Sequence, residues 1–168
     1  LGVFSLRQSY KSGSKNLGYM LFSICLWSLA AALEAATIST DMKFFWSRFE
    51  YWGSNLTAVF YLKFVIQYVQ YDNWMTPRRR LLIWILPIIN ILLPLTNHWH
   101  HLVWTGYDPG IPGTNLIQYH HGVGYWFIYA VLYIYFTFST AVLLKFSRRA
   151  IGWQRRQIRL FVLATLAP

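Results

Sequence analysis

Long apolar runs separated by short polar connections organise this chain. Residues 17–38 are apolar apart from Ser23, Ser28, Glu34 and Thr37, and residues 51–71 are apolar and aromatic, interrupted by Asn55 and Lys63. Residues 81–95 carry Pro87, Asn90 and Pro94, and residues 122–144 form a long aromatic run. At ~1.5 Å of rise per residue, about 20 apolar residues cross the ~30 Å hydrocarbon core of a bilayer. Each run therefore reads as membrane helix. Residues 1–6 read as the tail of a further helix, and residues 158–168 as the start of another that the sequence cuts off. The pattern predicts an all-α integral membrane helix bundle, one transmembrane domain over residues 1–168 with about five to six helices present, in a piece of a longer protein. Pro87 and Pro94 predict a bent helix inside the bundle, where neighbours satisfy the carbonyls that proline frees.

The connections alternate in charge, and this adds orientation. Arg7, Lys11 and Lys15 fall in the first, Arg78 to Arg80 in the third, and Lys145, Arg148, Arg149, Arg155, Arg156 and Arg159 in the fifth. In the second, residues 39–50, Lys43 and Arg48 are offset by Asp41 and Glu50; the fourth has no Lys or Arg. Lys and Arg collect in cytoplasmic loops, so odd connections are expected inside and even ones outside. The basic clusters would then meet anionic lipid headgroups at the inner surface.

Composition agrees with the membrane reading. Hydrophobic residues make up 56% of the 168 and aromatics 20%, with only 12% charged, against about 25% in ordinary soluble domains. The net charge of +10 does not point to nucleic acid, because the basic residues lie in short clusters between apolar runs and not in a stripe on a polar domain. The single cysteine, Cys25, can form no intramolecular disulfide and says nothing of redox compartment.

The one long interruption, residues 92–126, holds all five histidines, His98, His100, His101, His120 and His121. Imidazole is the commonest protein ligand for zinc, copper and haem iron, so an outer metal or haem site on His98, His100, His120 and His121 is one reading. Neighbouring histidines do not easily ligate one ion together, and Asp108 is the only carboxylate nearby. The other reading is structural: Thr96, Asn97 and His100 cap a helix end whose carbonyls must be satisfied at the membrane, and hold the loop that follows.

These residues carry a resemblance. T-N-H-W-H-H-L-V-W at Thr96 to Trp104 is similar to the Thr-Asn-x-x-His-x-Leu-x-Trp motif of the N-terminal seven-transmembrane sensory region of bacterial sensor histidine kinases. Thr96, Asn97, His100, Leu102 and Trp104 stand on the matching positions. H-G-V-G-Y-W at His121 to Trp126, followed by Tyr133 and Tyr135, resembles the Gly-Pro-x-Phe-Trp opening of that family's fifth helix, with Val123 in the place of proline. Arg155 to Gln157 and Pro168 resemble parts of its sixth helix, and Leu33-Glu34, Trp46 and Gly53 are weaker echoes. The resemblance implies a truncated seven-helix sensor without most of its first helix and all of its seventh. It further implies a bacterial inner-membrane receptor whose kinase or other signalling module follows in the same chain, with a homodimer as a compatible assembly. No kinase motif lies in the chain itself, so no enzymatic activity and no cofactor are expected of it.

Glu34 and Lys63 are the ionisable residues within apolar runs, where charge is expensive and therefore functional by default. They either pair, or line a pocket, or reach the outer and inner interfaces separately. A retinal Schiff base on Lys63 has no support from the resemblance. Trp104, Tyr125 and Trp126 lie near the outer surface as pocket candidates, although an aromatic belt predicts the same residues. The expected function is a sensory membrane domain reading a small molecule or the state of the lipids. The rival is a membrane metal or haem protein built on the outer histidines. A transporter or channel ranks last, since neither repeats nor a line of intramembrane charges is present.

Overall fold

The computed structural model describes residues 13–109 and 114–148, together with 152, 155–158, 160 and 162. The helix tail expected at 1–6 and Pro168 lie outside the described residues, as does most of the run at 158–168. Four long helices and one hairpin define the architecture: α1 (Ser14–Ala36), α2 (Thr40–Tyr68), α3 (Pro77–Leu95), a single turn α4 (Asn97–His100), β1 (Trp104–Pro109), β2 (Ile117–His121) and α5 (Val123–Ser147). The chain is a membrane helix bundle. Both α1 and α5 are long and apolar enough to cross a hydrocarbon core. Large side chains such as Phe22, Leu29, Leu81, Leu82, Tyr133 and Ile134 are exposed on the helices, as lipid contact requires.

The largest difference from the sequence reading concerns residues 39–50. They were expected as a connection, but all except Ser39 form the first three turns of α2, and the link to α1 is only Thr37 to Ser39. Lys43, Ser47, Glu50, Ser54 and Thr57 recur at three- and four-residue steps, so they form one helical face, and Lys43, Ser47, Ser54 and Thr57 are buried. Lys43 and Glu50, two of the charges that suggested a loop, belong to the polar stripe of a packed helix. Elsewhere the boundaries shift by a turn or less. Thr76 starts α3 by accepting the Arg79 N–H at 3.4 Å, with Pro77 at the first helical position, so Arg78 to Arg80 belong to the helix and not to the turn before it.

Neighbouring helices run antiparallel. The α1 start meets the α2 end through Asn16 Nδ2, which donates to Gln67 Oε1 at 2.6 Å, and the α1 end meets the α2 start where Lys43 Nζ donates to the Glu34 carbonyl at 2.9 Å. Gly53 permits this approach, since a Cβ there would lie 2.6 Å from Trp27 Cβ. Helix α3 is joined to both neighbours by polar groups. Asn90, fully buried, donates to Asn55 Oδ1 at 2.9 Å and to the Ile128 carbonyl at 3.4 Å. Pro87 has no N–H for the carbonyl of Ile83, four residues back, and the Tyr135 hydroxyl donates to that carbonyl at 2.8 Å. This is the neighbour-supplied compensation that a proline in a bundle requires.

The bundle is polarised. At one end lie the hairpin and charges of both signs, Glu34, Asp41, Lys43, Arg48 and Glu50; at the other lie Lys15, Arg78 to Arg80, Lys145, Arg148, Arg155 and Arg156. One apolar core, including Val59, Leu62, Val103, Trp104 and Ile128, fills the hairpin half. A second, including Phe64, Val65, Leu143 and Ile158, fills the basic half.

Candidate functional site at the hairpin end

The Thr96 to Trp104 segment is held by its own side chains. Asn97, buried, accepts the Val103 N–H at 2.8 Å and the Trp104 N–H at 3.2 Å on Oδ1, and donates from Nδ2 to the Trp104 carbonyl at 2.9 Å. Thr96 Oγ1 donates to the Leu92 carbonyl at 2.8 Å and faces His100 Nε2 at 3.0 Å. His100 Nδ1 accepts the Leu102 N–H at 3.0 Å, which leaves the neutral ring's proton on Nε2, pointing at Thr96. His101 then ends the turn in the left-handed region, φ 50°. One threonine, one asparagine and one histidine thus satisfy the end of α3 and fix where β1 begins.

The second half of the segment docks through glycine. Strands β1 and β2 pair antiparallel with an irregularity at Thr105, bringing Trp104 opposite His121 and Tyr107 opposite Tyr119. Gly122 N–H donates to the Val103 carbonyl at 3.0 Å and Gly124 N–H to the Leu102 carbonyl at 2.8 Å. A Cβ on Gly122 would collide with the Leu102 carbonyl oxygen, and one on Gly124 would come within 3.0 Å of it. The two glycines let α5 start directly against the backbone of residues 102–103. At the far end of the hairpin, Asn115 Nδ2 donates to the carbonyls of Ala35 at 3.0 Å and Thr37 at 2.7 Å, capping α1.

Beneath the hairpin is a partly open cavity of about 200 Å³. Its walls are largely aromatic: Trp27 from α1, Tyr51 from α2, Trp104 and Tyr119 from the hairpin, Tyr125 and Tyr129 from α5. Glu34 and Glu50 bring carboxyl groups to it. The Tyr119 hydroxyl donates to Glu34 Oε1 at 2.6 Å, and Ser47 and Glu50 line the same cavity beside them. Burial, then the bond to Glu34, holds the Tyr119 phenol well above its ordinary range.

A model of the family described as the N-terminal 7TM region of histidine kinase matches residues 1–168. The chain belongs to that family. Searches of curated proteins and of solved structures find no match. In this 7TM region the candidate residues named from sequence divide into groups. Thr96, Asn97 and His100 lie together at the hairpin base. Trp104, Glu34 and Tyr125 meet at the cavity. Trp126 is exposed and points away from it, and Lys63 stands apart from Glu34, with Nζ 5.6 Å from the Phe60 ring centre and 5.7 Å from that of Trp84.

The histidines of the 7TM region do not converge. His100 is engaged by Thr96 and Leu102, His98 lies against Trp99, and His120 Nε2 meets Asp108 Oδ2 at 2.9 Å. His121 stacks on Tyr125 with ring centres 3.7 Å apart, and burial, then His120, pushes its imidazole below the usual range. Among the described residues no three His, Cys, Asp or Glu side chains gather as a metal site would require. Sequence reasoning missed Glu50, Tyr119, Ser47 and Asn115. The periodic polar stripe of α2 was the signal for Ser47 and Glu50. Nothing local marks Tyr119 or Asn115, whose partners lie on α1, about 80 residues away.

Proposed function

We infer that this chain is the stimulus-reading part of a bacterial histidine kinase-type receptor. It is a single sensory domain that crosses the inner membrane several times, with the hairpin outside and the arginine-rich end at the cytoplasm. Family membership and the concentration of basic residues at one end support this reading. The observation that carries the site is the hairpin itself. It is tied to α3 by Asn97, to α5 by Gly122 and Gly124 and to α1 by Asn115 and Tyr119, and it roofs a cavity between α1, α2 and α5. An occupant of that cavity touches α1, α2 and α5, and the hairpin joins α3 to them. A stimulus shifts such a bundle only by its differential affinity for two helix arrangements. The displacement passes along the helices to a kinase or other signalling module on the cytoplasmic side.

In this reading Thr96, Asn97, His100 and Trp104 hold the hairpin in register, and Glu34 and Tyr125 meet the occupant. Lys63 extends its ammonium towards the inner surface, and Trp126 anchors in the outer interface. Alanine at Thr96, Asn97 and His100, singly, in the full-length protein should abolish stimulus-dependent autophosphorylation while membrane insertion persists. Normal signalling by all three variants would refute the role given to the hairpin.

A further inference from the structure

We propose that the cavity under the hairpin binds a small organic cation, an alkylammonium or quaternary ammonium group, between its ring faces and the carboxyl groups of Glu34 and Glu50. The cavity, the ring faces and the carboxyl pair carry this together. Its volume of about 200 Å³ is room for about six or seven waters at ~30 Å³ each, which fits a small molecule and not a peptide. Its walls present Trp27, Tyr51, Trp104 and Tyr129, the ring types whose faces attract a desolvated cation. Among the described residues no Lys or Arg lines it.

Charge balance favours a cation. The buried ammonium of Lys43 is turned to the Glu34 carbonyl, and it offsets one carboxylate of the pair. A bound cation would offset the other, whereas an anion would face two carboxyl groups. His121, the remaining titratable ring of the hairpin facing the cavity, is neutral when stacked on Tyr125 and neither supplies nor takes the charge. On α5 the facing groups are the phenols of Tyr125 and Tyr129.

The binding test does not depend on the sensory reading; the signalling arm rests on it. Full-length protein in lipid nanodiscs is titrated with choline chloride and with its uncharged carbon isostere, dimethylbutanol, following tryptophan fluorescence and heat. Saturable choline binding is expected, with the isostere weaker by about tenfold or more. Glu50→Gln removes one carboxyl charge and should cost about tenfold in affinity. The wild-type ratio of choline to isostere stands whether or not that variant folds. Absence of saturable binding, equal binding of the isostere, or unchanged affinity in a folded Glu50→Gln protein overturns the proposal. Choline binding that leaves autophosphorylation unchanged upholds the cation site and refutes the sensory reading.

Discussion

Replacing Asn97 with alanine removes the one side chain that satisfies three backbone groups at the base of the hairpin: the N–H groups of Val103 and Trp104 and the Trp104 carbonyl. Val103 and Trp104 are buried, at 0% and 3% exposure, so water replaces the lost partners only if the backbone opens. Each buried orphan costs about 1–3 kcal/mol, and three together would cost at least about 3 kcal/mol. The hairpin base relieves most of that by opening, so the cost to this local structure is about 3 kcal/mol, less than global unfolding requires. At about 1.4 kcal/mol per factor of ten, protection of the Val103 and Trp104 amides should fall about 100-fold. Hydrogen exchange read by mass spectrometry on peptides covering residues 102–106, in nanodiscs, measures this directly. Asn97→Asp retains the acceptor for both N–H groups but sets an oxygen against the Trp104 carbonyl, and should fall between wild type and alanine. Unchanged protection in Asn97→Ala, or an aspartate variant as open as the alanine one, would show that the asparagine does not hold the hairpin.

Tyr135→Phe strands the Ile83 carbonyl and should cost about 1–3 kcal/mol in thermal or denaturant unfolding. Adding Pro87→Ala restores an N–H four residues after Ile83, so the double variant should recover part of the loss, and strictly additive costs would refute the compensation. Gly53→Ala puts a methyl 2.6 Å from Trp27 Cβ and should lower stability by about 1–3 kcal/mol, checked by the melting temperature; an unchanged melting temperature would mean that α1 and α2 are not held at this distance. The His121 imidazole is pushed below its unfolded value of 6.5, so its contribution to stability is present above that value and is lost as pH falls through the lower folded one. Acidification below about pH 6.5 should therefore loosen the hairpin in hydrogen exchange, and His121→Gln should flatten that dependence.

What the sequence made legible is what is encoded locally. Runs of apolar residues gave the helices, and the spacing of Thr96, Asn97, His100 and Trp104 marked a capped helix end because every partner in that unit lies within eight residues. The start of α2 at Thr40 was hidden by Lys43, Arg48 and Glu50. Charge argues for a loop only until it is known that Lys43 has a carbonyl to meet and Glu50 a cavity to line. The hairpin was hidden too, since residues 104–121 show no sustained alternation of apolar and polar positions, and Trp104, Tyr107, Tyr119 and His121 find their ring partners in the bundle. The cavity depends on contacts such as Tyr119 to Glu34, across 85 positions, which no local pattern announces.

The distribution of polar bonds also separates the helices mechanically. Moving α3 against α2 or α5 breaks the Asn90 bonds to Asn55 and Ile128, or the Tyr135 bond to Ile83, each in surroundings where no water replaces it. Helix α1 meets α2 through the smooth contact of Trp27 on Gly53, and its polar ties among the described residues lie at its two ends: Asn16 to Gln67 at one, Glu34, Ala35 and Thr37 at the other. The end ties at the cavity side are those an occupant meets first, because Glu34 and Tyr119 both line it. Breaking the bonds that Tyr119 and Asn115 make to the α1 end costs hydrogen bonds near water, about 0.5–1.5 kcal/mol each, whereas moving α3 leaves buried orphans at about 1–3 kcal/mol each. A change in the cavity therefore meets the exchangeable ties of the α1 end before it meets the buried bonds that join α3 to α2 and α5.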